Sequence, residues 1–427
     1  MIIFLLYISL FILFYFVYLF IEKWLSKQLT DKNAYNERKT VTFGDESAVK
    51  PNRVASIFSI ITLFLLWAAF TGSQLTPIHV PGPFTGDTSF SYTASNLLNQ
   101  SDDATVYIRV KNRSDKFTKP DISNLIQTGF ARDDAIKVAA WRSALIRVQK
   151  NDVGGKEKGY RIIAINNQPI EPKQFIKVAN GIVSMTAKGS LNFMPDKGWQ
   201  MEAIWLPAPE AVFTRLIEIA RDGYQNITLT ENIGWSLLRV IAGFLLGSLV
   251  GIPLGYAMGL NSWFRGWFDP IVEFMRPIPP LALIPLIIIW FGIWETGKIS
   301  LLFLAALWIM TIAARAGVSG VNISKIHAAY SLGASRFQVL MRVIIPNSLP
   351  DIFTGARVAM GVCWGTVVAA ELVAAEKGAG KMIIAASKFQ QTDVVIMGII
   401  LIGIIGYGID ILMRLAERVL VPWKGKV

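Results

Sequence analysis

Seven stretches of this 427-residue chain, at 2–21, 54–70, 235–260, 271–292, 299–316, 358–375 and 394–412, reach or approach the apolar length of a membrane crossing. A helix rises about 1.5 Å per residue, so about 20 apolar residues cross a hydrocarbon core about 30 Å thick. No water inside that core satisfies the backbone, and a span of this length therefore closes its own hydrogen bonds as a helix. The expected fold is an all-α polytopic membrane protein of about seven transmembrane helices. A composition of 53% hydrophobic and 17% charged residues excludes a disordered chain and a wholly soluble enzyme. One cysteine, Cys363, allows no disulfide within the chain and no Cys-cluster metal site, and two histidines, His79 and His327, leave little for His-based zinc chemistry.

Charge placement orients the spans. Short loops at 22–53, 261–276, 314–357 and 411–427 hold 18 Lys and Arg, against 4 in the loops around Lys298 and at 376–393. By the positive-inside bias the first set is cytoplasmic. This accounts for the net charge of +12 without nucleic acid as a partner. The first stretch has no basic residue ahead of it and carries Glu22, Lys23 and Lys27 just after it, the reverse of a cleavable signal peptide. It is expected to be a retained anchor with its N-terminus outside. The chain then divides into 1–72 with two spans, a soluble insert at 73–205 outside the membrane, and a five-span block at 206–427.

Within the insert, Pro77, Pro81, Gly82, Pro83 and Gly86 make a linker. Val106, Ile108 and Val110 alternate with Tyr107 and Arg109 as in a half-buried strand, and 161–165 and 181–187 read as further strands. Asp133 is placed to cap a helix bearing Ile136, Ala140, Trp141, Ala144, Leu145 and Val148, and 154–159 reads as a turn. A small α+β domain follows, with 17 Lys/Arg against 12 Asp/Glu and no catalytic pattern. It is either a docking or regulatory module or an insertion with no transport role. After it, Pro209 and the apolar face of Val212, Phe213, Leu216, Ile217 and Ala220 predict an interfacial helix too short to cross. Thr228 and Glu231 have capping-box spacing. Gly243, Gly247, Gly251, Gly255 and Gly259 recur on one helix face, which lets a neighbour approach closely or slide.

The cytoplasmic segment between the fifth and sixth stretches reads His327-Ala-Ala-Tyr-Ser-Leu-Gly333-Ala-Ser-Arg-Phe-Gln-Val-Leu-Met-Arg-Val343-Ile-Ile-Pro346. The small residues at 328, 329 and 334 suit close approach of a partner, Gly333 permits a sharp reversal, and Pro346 is expected to end or bend the next helical stretch. The segment resembles the EAA loop of ATP-binding-cassette importer permeases, EAA-x3-G-x9-I-x-L-P. Ala328, Ala329, Gly333 and Pro346 stand at matching spacings, while His327 replaces the Glu, Val343 the Ile and Ile345 the Leu. The runs 269–282, 289–298, 368–374 and 421–425 look like the nitrate/sulfonate/taurine branch, and the likeness, covering 206–427, is greatest to taurine permeases.

The resemblance implies a type I permease in a bacterial inner membrane, with the insert periplasmic. It implies two permease copies as a homodimer, two ATPase subunits and a periplasmic substrate-binding protein. Coupling to the ATPase is carried over to His327, Ala328, Ala329, Gly333, Ser335 and Arg336. The chain itself has no phosphate-binding loop: Gly380-Lys381 is followed by Met382, and Gly154-Gly155-Lys156 fails likewise. It carries no cofactor of its own, ATP and Mg belonging to the partner ATPase. Taurine is the first expected substrate, with other alkanesulfonates, nitrate or bicarbonate as alternatives. A membrane-anchored receptor sensing a ligand through 73–205 is the alternative of another class.

Charged residues inside spans face protein or a pathway. Arg239 and Glu371 are such residues, and Met275, Met360 and Trp364 are apolar pathway candidates. For the charged two, the competing reading is a structural ion pair; for the apolar three it is helix packing. His79 is expected to be a solvated linker residue.

Overall fold

A computed structural model of the chain describes residues 2–28, 53–96, 98–112, 117–122, 129–153 and 160–423. The basic stretch at 29–52 and the turn expected at 154–159 lie outside the described residues. The chain divides into two compact units, Met1–Glu210 and Ala211–Val427.

In the first unit, α1 (Ile2–Gln28) and α2 (Arg53–Thr71) are apolar around their circumference, as helices in lipid are. They meet through a stacked Phe14–Phe58 pair at 5.1 Å and a Tyr7–Ser59 hydroxyl hydrogen bond of 2.8 Å. Beyond α2 the chain turns at Gly72, φ +64°, and the insert begins and ends beside that turn. Met201 N donates to Phe70 O at 2.8 Å, and the Trp67 indole donates to Pro207 O at 2.9 Å.

The insert is built from β1 (Gly86–Ser95), β2 (Ser101–Lys111), β3 (Asp134–Ala139), β4 (Ala144–Ile146), β5 (Arg161–Ile165), β6 (Gln168–Pro169), β7 (Phe175–Val178), β8 (Gly181–Met185) and β9 (Leu191–Pro195). These form two sheets, ordered β3-β2-β1-β5-β6 and β4-β9-β8-β7. Alternate residues, among them Tyr92, Ile108, Ile165, Leu191 and Phe193, fill one core. The strands expected at 106–110, 161–165 and 181–187 are present. The helix expected after Asp133 is not: residues 134–139 pair in parallel with β2, and Trp141 turns at φ +61° before β4. Ile136, Val138 and Ala140 satisfy a period of two as well as a helical period, and the open edge of β2 offers a ladder that decides between them. Asp133 Oδ1 accepts from Thr105 N at 2.7 Å instead of capping a helix. Among its described residues the insert holds strands and one short 3-10 turn, so the α part of the expected α+β domain is not borne out there. His79 is exposed as expected, although its Nε2 lies 2.5 Å from Ser73 O.

The second unit opens with α3 (Pro209–Asp222), which buries Val212 and Ile219 and leaves Phe213 and Ile217 exposed. The chain then enters α4 (Leu229–Leu260) through the expected capping box, in which the Thr228 hydroxyl accepts from Glu231 N and the Glu231 carboxylate from Thr228 N. Next come α5 (Ser262–Met275), α6 (Ile284–Phe291), α7 (Glu295–Ser319), α8 (Ile323–Ser331), α9 (Arg336–Val339), α10 (Ile345–Ala374), α11 (Ala379–Lys388) and α12 (Thr392–Leu420). Among the described residues, five helices are long and apolar enough to cross a membrane, and 5–21 forms a shorter apolar helix.

The stretch at 271–292 is not one continuous helix. It breaks between α5 and α6 with a bend of 91°. Pro277, Pro279 and Pro280 lack the amide hydrogens a helix needs and force their predecessors out of the helical region. Pro346 does not end its helix. It sits at the second position of α10, after a π turn at Leu340–Ile344 in which Ile345 N reaches back to Leu340 O. The helix expected at 358–375 therefore starts earlier, at Ile345.

The glycine stripe sets how α4 and α7 run. A Cβ on Gly247 would stand 2.6 Å from Ala306 Cβ, on Gly251 2.7 Å from Leu307 O, and on Gly259 2.8 Å from Val318 Cβ. Contacts advance in the same direction along both helices, so α4 and α7 are parallel, and residues 261–294 must return across the thickness of the unit. The bent α5–α6 segment makes that return. Helix α10 is antiparallel to α7, with the Cys363 thiol 3.5 Å from Leu302 O. Trp364 donates to Ile402 O of α12 at 3.0 Å.

Candidate functional site

Two groups of residues in the second unit stand apart from ordinary helix packing, one at each end of α7. The first is the turn joining α7 to α10. Asn322 caps α8, its side chain accepting from Ser324 N at 2.9 Å. The helix stops at Gly333, φ +80°, where Leu332 N donates to Ala328 O and Ala334 N to Ala329 O. Ser335 starts α9 with a second capping box, Gln338 N donating to its hydroxyl at 3.3 Å and Ser335 N donating to Gln338 Oε1 at 2.8 Å. The local sequence thus fixes a helix–reversal–helix shape through three side-chain caps and one left-handed glycine.

Of the expected coupling residues, His327, Ala328, Gly333, Ser335 and Arg336 are exposed together on this turn. Ala329 is half-buried and, with Ala334, packs onto Val318, Val339 and Ile344. Those two small residues seat the turn on its own unit. The sequence reading missed the apolar side chains beside them: Leu332 is 88% exposed and Phe337 67% exposed, with Tyr330 and Ile323 also in the open. The signal was available, since large apolar residues flanked by a cap and a reversal have no core to enter.

The second group lies where α4, the start of α7, the end of α10 and the start of α11 converge. Arg239 and Glu371, singled out separately from the sequence, are both fully buried and joined at 2.7 Å. Glu371 also accepts from the Ser236 hydroxyl at 2.7 Å and from Gly380 N at 2.9 Å. Arg239 donates further to Lys377 O at 2.8 Å and forks onto Glu295 through Nε and Nη2. Its guanidinium carbon lies 5.7 Å from the Trp235 ring, and Lys298 Nζ donates to Glu295 Oε1 at 2.9 Å. Glu295 and Lys298 were not anticipated. They sit at the edge of an apolar run, where charges are ordinary, whereas Arg239 and Glu371 interrupt one.

The apolar candidates are not brought together with this cluster. Met360 and Trp364 are buried among Val240, Leu302, Met310 and Cys363, and Met275 ends α5 half-buried. Among the described residues no group of three or more His, Cys, Asp or Glu side chains has metal-site geometry.

A family of binding-protein-dependent transport system inner membrane components matches residues 234–421. The taurine transport system permease protein TauC of Escherichia coli (strain K12) is 47% identical over 225 residues, 52% of this chain and 82% of that protein. The putative aliphatic sulfonates transport permease protein SsuC of the same organism is 36% identical, covering 53% of this chain and 84% of that protein. The bicarbonate transport system permease protein CmpB of Synechococcus elongatus is 32% identical, covering 50% and 80%. With apolar crossing helices, a capped reversal on a basic loop and relatives matched over most of their length, the chain belongs to the binding-protein-dependent inner-membrane permeases of ABC transporters, in their taurine and sulfonate branch.

Proposed function

We propose that this chain is the membrane-spanning half of a homodimeric, ATP-driven importer for a small organic anion, taurine first. The observation that carries the reading is the exposed, doubly capped turn at 322–338, which sits between parallel and antiparallel helices on the basic side of the chain. A turn held this firmly passes a push from a separate ATPase subunit into α7 and α10. On this reading ATP and Mg are bound by that subunit, a binding protein delivers the anion to the opposite face, and residues 73–205 lie in the periplasm. Alkanesulfonates, nitrate and bicarbonate are the competing substrates.

The test is ATP-dependent uptake of labelled taurine in cells with and without this gene, with ethanesulfonate, nitrate and bicarbonate as competitors. Uptake lost on deletion and competed by taurine alone supports the reading. Unchanged uptake in a strain lacking other taurine systems discards taurine and passes the question to the competitors. Gly333→Leu tests coupling: space is open around its Cβ, but φ is +80°, a conformation a side chain resists. The variant should reach the membrane at wild-type level and lose uptake. Normal uptake by Gly333→Leu would remove the coupling role.

A further inference from the structure

We propose that Arg239 and Lys298 form an oxyanion subsite that Glu295 plugs in this conformation and leaves when the anionic head of a transported molecule arrives. The proposal rests on the importer reading above and assigns a place where the anion is held.

The asymmetry of burial is the starting point. The side chains of Arg239 and Lys298 are 1% and 8% exposed, yet both point at one carboxylate, Glu295, that is 41% exposed. The other carboxylate in the cluster is different in kind. Glu371 is fully buried and accepts from a serine hydroxyl and a backbone amide in addition to Arg239. Among the described residues, the hydrogen-bond partners of the Glu295 carboxylate are the two cations alone. Glu371 is therefore built in, whereas Glu295 is held by the groups an external anion would use.

Chemistry and charge agree. A planar guanidinium offering two N–H groups in parallel matches carboxylate, sulfonate and phosphate oxygens alike, and an ammonium beside it adds a point charge. With Glu295 in place the two cations and two carboxylates cancel; with it gone, Glu371 leaves one net positive charge, suited to a singly charged head. Trp294 occupies the cap position of α7 without a side-chain hydrogen bond, so the positive end of that helix faces the same spot. Buried cations are costly to leave unpaired. Glu295 therefore leaves only as an anion enters, which makes the exchange a swap. The adjoining cavity, walled by Ile287, Trp294, Leu301 and Ala370 and reaching Lys298, is only about 20 Å³, room for about one water. Room for a ligand comes from the departing glutamate.

An oxyanion head could belong to the transported molecule or to an anionic lipid. The experiment uses the full chain with its ATPase in phosphatidylcholine vesicles, with its binding protein supplied on the opposite face, with and without phosphatidylglycerol, and labelled taurine or ethanesulfonate as the probe. Glu295→Gln removes the internal competitor, and the half-saturating concentration should fall by about tenfold, equivalent to about 1.4 kcal/mol. Lys298→Gln should raise it by a similar factor. Lowered maximal rates in both variants at unchanged half-saturation would make the cluster purely structural and overturn the proposal. An effect of Glu295→Gln seen only with phosphatidylglycerol would assign the site to lipid and overturn it too. If the wild type transports neither probe, the importer reading fails separately. Equilibrium binding of labelled sulfate to the chain in nanodiscs then decides the subsite: tighter binding by Glu295→Gln supports it, unchanged binding does not. If Lys298→Gln fails to reach the membrane, the near-isosteric Glu295→Gln still decides.

Discussion

Asp134, at the start of β3, has a buried Oδ2 with no hydrogen-bond partner among the described residues. Burial, and then the nearby charge of Asp152, push its carboxyl up to about 7 from an ordinary value of 3.8. Asp152, whose Oδ1 accepts from the Tyr92 hydroxyl and Arg132 N, is raised in the same direction by burial. The folded insert thus keeps a proton on Asp134 that the unfolded chain has released. Stability falls as pH rises between about 4 and about 7, by at most about 1.4 kcal/mol per pH unit, and the loss is complete above that window. Hydrogen-exchange protection of 86–195 in the full chain, corrected for intrinsic rate, should be greater at pH 5 than at pH 8. Asp134→Asn should remove most of that difference, and an undiminished difference would place its origin elsewhere. At this scale the sequence was legible where a charge interrupts an apolar run, as at Arg239 and Glu371. It was not legible where partners meet only in space, as at Asp134 with Asp152, or where a charge ends a run, as at Glu295.

Helices were easier to read than strands because the membrane imposes a length on them. The capping box at Thr228 and the glycine face of α4 were visible as spacings, and both are present. The short strands of the insert were ambiguous, since residues 136–140 fit either period and only β2 resolves the choice. The break between α5 and α6 was written in three prolines, Pro277, Pro279 and Pro280, but apolar length alone ran across it. The α4–α7 contact yields a direct test. Gly247→Leu drives a side chain into Ala306 and Phe303 O, and overpacking of this kind costs about 1–3 kcal/mol or more. The thermal midpoint of the detergent-solubilised chain should fall. Gly361→Ala, on an exposed part of α10 with nothing within 4 Å of the added carbon, should leave it unchanged or slightly raised. Equal effects from the two substitutions would mean that the stripe is not a packing surface.

For the whole molecule, direction follows from packing. Helices α4 and α7 are parallel, α10 opposes them, and α12 opposes α10, since Trp364 meets Ile402 and Arg357 pairs with Glu417 at 3.7 Å. The N-terminal ends of α4, α7 and α12 therefore share one side, and the turn at 322–338 lies on the other. With the basic loops inside, the proposal places the insert outside. Glu171→Cys in the insert should react with a membrane-impermeant maleimide in intact spheroplasts, and Ile323→Cys should react only after permeabilisation. The opposite pattern would invert the topology. The proposed placement of the insert rests on loop charges, because nothing in its own sequence records which face of a membrane it meets.

Those labelling experiments need no preparatory mutagenesis, because the single native thiol, Cys363, is fully enclosed and turned toward Leu302 O. The chain is already a silent background for thiol chemistry. Spin labels or fluorophores attached in pairs along α7 and α10 would report distances from the introduced sites alone. The movement of one helix against another during turnover then becomes a measurable length in the otherwise unaltered protein.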